Sequence, residues 1–374
     1  MGYVLISFLS WLILRFLVLR RLPCGRPART VLSCLFFLPI LYYAYLQASC
    51  FIVLPEPSFG TAILMGAWCG TVLIAAPPAS AGVLCLMRFG RKKSMRRVGA
   101  GACLIFSLFF SSVLVLCGLR EGLSVPSVQE VSVSLPAGCD ALDGIRMAVI
   151  SDLHLGCATP PGWLEETLRR IKEARADIIL LDGDLSDGRP EDRRSDLARL
   201  GTLEAPFGVW AVPGNHEYYV DYAGIMAALP DSVHVLANSH ARLRTSRGTF
   251  VLAGVTDRKA RARGLPGPDI EKALSGLSGD GAIGPVLLMS HRPAGWSRNA
   301  ARGVVLQICG HTHGGQFIWN RLFLRLIGRR YLHGLFERNS SLLWVGSGAS
   351  QWFGFPLRVG VPPEIAVLNL HAGS

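Results

Sequence analysis

Acid is what the first third of this chain lacks. Residues 1–120 hold 12 Lys and Arg but one carboxylate, Glu56. The other 254 residues carry 26 basic and 25 acidic side chains. The net charge of +12 therefore belongs almost wholly to the first third, and a nucleic-acid partner for the remainder loses its main support. Cysteine is also uninformative. Seven of the ten (Cys24, Cys34, Cys50, Cys69, Cys85, Cys103 and Cys117) fall in that first third, where cysteine behaves as a small apolar residue. The other three, Cys139, Cys157 and Cys309, lack metal-finger spacing and are too few for a disulfide framework. A Cys139–Cys157 bridge stays open. Internal repeats and low-complexity tracts are missing as well, which excludes solenoids and disordered arrays.

What the first third has is apolar length. Residues 3–19, 31–54, 61–87 and 99–118 are each long enough to cross about 30 Å of hydrocarbon. Arg15 weakens the first, and Pro77 and Pro78 kink the third. No small-residue cleavage site follows residue 19, so an anchor of four transmembrane helices is expected rather than a signal peptide. Arg20, Arg21, Arg26 and Arg29 form one basic loop and RFGRKKSMRR (88–97) another. The positive-inside rule makes both cytoplasmic, so the last span leads outward. The expectation is a multi-pass protein of the inner or plasma membrane, with residues 121–374 extracytoplasmic.

After a polar join at 118–129 the pattern changes. EVSVSLPAG alternates as an edge strand does, and IRMAVIS, DIILLDGD, VWAVPGN, TFVLAGVTD, PVLLMSH, VVLQICG, SLLWVGS and EIAVLNL read as strands buried on both faces. WLEETLRRIKEA (163–174) has helical spacing. The organisation expected is an anchor at 1–120, a linker and edge strand at 121–142, and an α/β domain of sheets between helices at 143–374.

Nearly every buried run stops at Asp, Asn or His beside glycine: SDLHLG (151–156), DGDLSD (182–187), PGNHEYY (213–219), MSHRP (289–293) and GHTHGG (310–315). Ligands of α/β folds collect outside the carboxyl ends of strands. Five of nine histidines ending buried strands among carboxylates would be poorly solvated without a cation, so a metal site is the economical reading. His311 and His313, two apart at a strand end, would reach the same side.

In this order, D-x-H, G-D-x-x-D, G-N-H-[DE], a separate His and G-H-x-H resemble the calcineurin-like metallophosphoesterases. GHTHGGQ with a later PPEI (362–365) is most similar to their bacterial transmembrane or exported subgroup. The resemblance runs from about residue 143 to the C-terminus and implies a two-sheet β-sandwich flanked by helices. It implies one divalent ion (Mn, Fe, Zn or Mg) on Asp152, His154 and His313, and a second on Asn215, His291 and His311. Asp184 would bridge them, and a metal-bridging hydroxide would attack phosphorus. His216 would protonate the leaving oxygen, with Asp187 orienting its ring. Glu217 is either a support or a surface residue. Relatives often carry an Arg beside glycine where this chain has GSGASQWFGFP (346–356), so no phosphate contact is carried over there.

Arg292 and Trp319 are secondary candidates for substrate binding. Asp257 is read as fold support, Tyr218 and Tyr219 as core, and His234, His240, His333 and His371 as structural or exposed. FIWNRLFLRLIGRRYLHGLF (317–336) mixes arginine with large apolar residues. That suits a surface lying on anionic lipid or a partly buried segment with a solvated basic face. The function expected is a membrane-anchored dinuclear phosphoesterase acting on phosphoester or pyrophosphate bonds, with a lipid-linked substrate as a candidate. A non-catalytic metal sensor or scaffold and a nuclease of the same superfamily are the alternatives. The partners expected are the bilayer and a phosphorylated substrate, without nucleic acid.

Overall fold

The computed structural model describes residues 2–49, 56–90, 92–277 and 284–373. Residues 50–54 of the second apolar run and Arg91 of the second basic loop lie outside the described residues. The chain divides into two compact units, Met1–Glu121 with Gly354–Leu357, and Gly122–Phe353 with Arg358–Ser374.

The first unit is helical: α1 (Gly2–Ile13), α2 (Arg26–Ala48), α3 (Phe59–Phe89) and α4 (Lys93–Gly122). Four spans were expected; among the described residues, three helices are long and apolar enough to cross a membrane, α2 to α4. Their 23, 31 and 30 residues rise about 35–46 Å at 1.5 Å each. The twelve residues of α1 rise only about 18 Å, and a π turn at Leu14–Val18 and a 3₁₀ turn at Leu19–Arg21 follow. Arg15 lies in the π turn. Its guanidinium covers the Trp11 ring at 5.3 Å and reaches Ser33 Oγ at 3.3 Å. A cation that needs such partners marks the place where the apolar run fails. Small residues bring the long helices together: Ala75, Ala76 and Ala79 of α3 are buried, which lets backbones approach. Ile105, Phe106, Phe109 and Leu116 of α4 are exposed, as a lipid-facing surface would be.

The second unit stacks two six-stranded sheets. Its strands are β1 (Ser127–Ser134), β2 (Arg146–Ile150), β3 (Ile178–Asp182), β4 (Val209–Val212), β5 (Val233–Val235) and β6 (Ser239–Thr245). They continue with β7 (Gly248–Gly254), β8 (Val286–Met289), β9 (Val304–Cys309), β10 (Gly334–Arg338), β11 (Ser341–Val345) and β12 (Glu364–His371). Its helices are α5 (Trp163–Glu173), α6 (Pro190–Arg199), α7 (Tyr222–Ala228), α8 (Ile270–Ala273), α9 (Trp296–Ala300) and α10 (Ile318–Leu326). The sheet orders are β1-β12-β2-β3-β4-β5 and β10-β11-β9-β8-β7-β6. β2 to β5 run parallel, as do β7, β8, β9 and β11. β1 stands at an edge, as its alternation required, and pairs only with β12 among the described strands.

Period-two alternation sorts the core. Met147 and Val149 of β2 face inward with Leu180 of β3, against Phe250, Leu252, Leu287, Met289, Leu306 and Ile308 of the other sheet. Ala148 and Ile150 face outward with Ile179 and Leu181, against Leu164, Leu168 and Ile171 of α5, Leu197 of α6 and Ile225 of α7. Helix α5 follows its sequence closely. Trp163, Leu164, Thr167, Leu168 and Ile171 form its buried stripe, with Glu165 and Glu166 in the first turn and Arg170 and Lys172 in the last. The outcome is two strand-dense sheets whose central parallel strands, β2 to β4 and β8 to β9, end in the clusters singled out above.

Candidate metal centre

The side chains that leave these strand ends converge. Asp152 Oδ1 lies 3.3 Å from His313 Nε2, 3.8 Å from His154 Nε2 and 3.9 Å from His291 Nε2. Asp184 Oδ2 lies 3.1 Å from His291 Nε2 and 3.7 Å from His154 Nε2. Candidate ligand atoms within 4.8 Å of one another form the groups Asp152–His154–His313 and Asp184–His291–His311, together with His154–Asp184–His216.

Backbone geometry explains how adjacent residues aim at one point. Asp152, His154, Asp184, His311 and His313 all have positive φ, between 42° and 67°. Non-glycine residues in this region cost about 1–3 kcal/mol each and persist only where their surroundings hold them. Here the holding is explicit. Asp152 N–H and His154 N–H donate to Gly183 O and Asp184 O, each at 3.0 Å. His216 N–H donates to Asp184 Oδ1 at 2.8 Å, and His311 N–H to Asp152 Oδ2 at 3.0 Å. The glycines leave room: a Cβ on Gly214 would sit 2.2 Å from Asp184 Oδ1, and one on Gly310 2.5 Å from Asp152 Oδ2.

His311 and His313 do divide between two groups, but strand pleat is not the reason. β9 ends at Cys309, and His313 opens a 3₁₀ turn. The left-handed backbone at both histidines, with Thr312 between them, turns their rings apart. The ring of His311 packs on that of His291 (5.2 Å between centres), and that of His313 on His154 (5.1 Å).

The far ring nitrogens fix which atom faces the centre. His291 Nδ1–H donates to Asp182 O at 2.6 Å, and His313 Nδ1 faces Ser350 O at 3.2 Å. Asp187 Oδ1 meets His216 Nδ1 at 2.5 Å and His154 Nδ1 at 3.2 Å. Asp187 therefore orients two rings rather than the one expected, and both turn Nε2 inward. Asp152 Oδ1 and His291 Nε2 are buried without a hydrogen-bond partner. Such a concentration of unshared lone pairs, mixed N and O in type, fits borderline divalent metal ions.

Charge balance points the same way. Burial works against ionising Asp152, yet His313, His154 and His291 hold its carboxyl well below the usual range. Asp184 is likewise held low against burial, by His291, His216 and His154. Burial opposes charge on His154 and His291 too, but their carboxylates lift His154 well above its ordinary value and His291 to about 10. Burial lowers His313 to about 4 and, with His291 and Arg292, drives His311 well down. The imidazoles compensate the buried carboxylates only in part, since burial opposes charge on every one of them. A divalent cation would compensate them at every donor at once.

Four residues around the centre acquire roles that their sequence context did not assign. Glu217 is 1% exposed and belongs to the support. Its carboxylate accepts from Gly214 N at 2.7 Å, Asp184 N at 3.1 Å and Leu185 N at 2.7 Å. Asp182 is buried beneath the cluster, and burial together with Asp152 and Asp184 raises its carboxyl well above normal. Asp257 does more than support the fold. It holds Arg292 Nε at 2.5 Å, while Nη2 of that arginine donates to Asn215 Oδ1 at 2.6 Å and Nη1 touches His311 Nε2. Arg358 is fully buried, and its guanidinium donates to Val361 O at 3.2 Å, Ser347 O at 2.8 Å, Gly348 O at 3.3 Å and Ser350 O. It thus braces the loop whose Ser350 carbonyl faces His313.

Of the predicted site residues, Asn215 adjoins the cluster through Arg292; Tyr219, read as core, packs on His216 at 4.7 Å. Trp319 is not gathered in; its ring stacks on Phe317 at 5.1 Å, on α10. His234 packs on Trp210, His240 bonds Ala273 O and His333 pairs with Glu364, all apart from the centre. Cys139 is a buried thiol.

Residues 145–315 match the model of the calcineurin-like phosphoesterase family. A metallophosphoesterase of Helicobacter pylori is 34% identical over 257 residues, covering 68% of this chain and 66% of that protein. A zebrafish (Danio rerio) transmembrane protein with a metallophosphoesterase domain is 28% identical over 302 residues, covering 76% and 68%. A metallophosphoesterase of Campylobacter jejuni is 29% identical over 273 residues, covering 71% of this chain and 70% of that protein. The chain thus spans slightly less than two thirds of the length of the Helicobacter relative. With strands, ligand order and convergent donors in agreement, the chain belongs to the calcineurin-like phosphoesterase family.

Proposed function

We propose that this chain is a membrane-anchored phosphoesterase that holds two divalent ions and hydrolyses a phosphoester or pyrophosphate bond. The observation that carries the reading is the convergence of Asp152, His154, Asp184, His291, His311 and His313 beside the His216–Asp187 pair. One ion would lie on Asp152, His154 and His313 and the other on Asn215, His291 and His311, with Asp184 shared. Ions bound there would polarise a phosphoryl oxygen and lower the pKa of water at neutral pH. The chain's own groups do the rest. His216, its Nδ1 held by Asp187, presents Nε2 to the leaving oxygen and gives it a proton. Arg292, tethered by Asp257 at the rim, is placed for a phosphate oxygen once its hold on His311 and Asn215 is released. Glu217 and Arg358 keep the ligand loops in register.

The His216–Asp187 pair argues against a sensor or scaffold, since ion binding alone needs no proton donor. The near-neutral charge of residues 121–374 argues against a nuclease. With α2 to α4 as spans, basic residues before α2 and between α3 and α4 favour a domain outside the cytoplasm; a compartment-specific reporter fused after Gly122 reads that orientation. Alanine at Asp184 or at His311 should abolish manganese-stimulated hydrolysis of an aryl phosphodiester, and undiminished activity in both variants would end the assignment.

A further inference from the structure

Helix α10 begins five residues after His313 and buries none of its side chains. Ile318, Trp319, Leu322, Phe323 and Leu326 are 42–86% exposed, and Ile327 beyond the helix is 58% exposed. At 100° per residue the five helical positions fall within an arc of about 140°. This is one continuous apolar stripe rather than scattered surface residues. It is fixed to the fold at its start, where Ile318 N–H donates to Val359 O at 3.0 Å and Asn320 Nδ2 to Gly315 O at 2.8 Å. Contiguous apolar surface of this kind on a folded domain marks a contact site.

We infer that α10 lies in the surface of an anionic bilayer, apolar stripe among the acyl chains and arginines at the headgroups. Two observations select lipid over protein. Residues 317–330 contain Arg321, Arg325, Arg329 and Arg330 and no carboxylate, and Arg325 borders the stripe on the helix wheel. Arginine stems extend along apolar surface while their heads reach phosphate, the arrangement of an interfacial helix. Among the described residues, three helices are also long enough to cross a bilayer, which brings lipid to the domain at high effective concentration. The inference is separate from the hydrolase reading, because its readout needs neither metal nor turnover.

The test uses the full chain in lipid nanodiscs containing phosphatidylglycerol. A genetically encoded ketone residue at Leu322 or Leu326, coupled to a nitroxide, avoids the native cysteines; a label at exposed Arg244 of β6 is the aqueous reference. Both α10 labels should collide with oxygen in preference to an aqueous nickel chelate, the reverse of the Arg244 label. Replacing Arg325, Arg329 and Arg330 together by Gln should move them toward water, each arginine near an anionic surface being worth about fivefold in binding. Labels as water-accessible as the reference would overturn the inference. So would labels reached by neither reagent, which would mean a protein cover, or spin–spin broadening that placed a second copy on the stripe.

Discussion

Removing the Glu217 carboxylate tests whether the metal centre is held from below. In Glu217→Ala the backbone N–H groups of Gly214, Asp184 and Leu185 lose their acceptor together. An unsatisfied buried donor costs about 1–3 kcal/mol. Water entering the vacated space recovers part of this, and relief of repulsion between Glu217 and Asp184 recovers more. The net loss should therefore lie near the lower bound, about 3 kcal/mol. For a unit of this size each kcal/mol shifts Tm by about 2–4 °C, so the alanine variant should melt about 6–12 °C early. Glu217→Gln keeps an acceptor for two of the donors and opposes the third with an amide, so it should fall between. Thermal unfolding of the full chain in detergent, followed by intrinsic fluorescence, reads the order. The loss should persist with a chelator present, because it arises in the protein and not in bound metal. An alanine variant melting within 1 °C of the parent would refute the support argument.

Three further outcomes follow from the geometry. Asp187→Asn should slow cleavage of an alkyl phosphodiester about a hundredfold and an aryl one far less, since an aryl leaving group needs little protonation; equal losses would remove His216 as the acid. Arg358→Met frees the loop behind His313 and should weaken manganese binding about 10–100-fold in a calorimetric titration, with partial recovery in Arg358→Lys; unaltered affinity would leave Arg358 purely a fold residue. Arg292→Gln withdraws the guanidinium from His311 and Asn215. It should tighten manganese binding about tenfold, while an unchanged titration would show that the arginine does not compete there.

Much of the centre was legible because its ligands end strands. A buried apolar run closed by a polar cluster marks the carboxyl edge of a parallel sheet, and the chain repeats that mark at β2, β3, β4, β8 and β9. What was hidden depends on distances between separate elements. Glu217 reads like any carboxylate after a ligand until the ends of β3 and β4 bring three N–H groups to it. Arg358 lies 45 residues from His313, and nothing in PLRVGVPPE marks it as buried. β6 and β10 escaped notice because each is an edge strand with several exposed positions, so the buried-strand pattern never forms. The first apolar run is divided at Arg15 into α1, a π turn and a 3₁₀ turn, so among the described residues three α-helices rather than about four have the length of a span.

β12 has a consequence for the order of assembly. It lies between β1 and β2, pairing with Ser127–Ser134 on one side and Arg146–Val149 on the other. Strands adjacent in sequence, β1 and β2, are thus kept apart until residues 364–371 arrive. While the chain is being made, α2 to α4 can already occupy a bilayer, but the first sheet has a gap with two unpaired edges. Such edges invite pairing with the wrong strand. The half-site carried by β2 to β4 is then complete in composition and unsupported in structure. Before residues 291–313 emerge a divalent ion would find Asp152, His154 and Asp184 without His291, His311 and His313, and from then until residue 364 it would find these side chains beside a sheet still open between β1 and β2. On the proposed two-ion reading, loading is a late event, complete only after the carboxyl-terminal strand has closed the sheet.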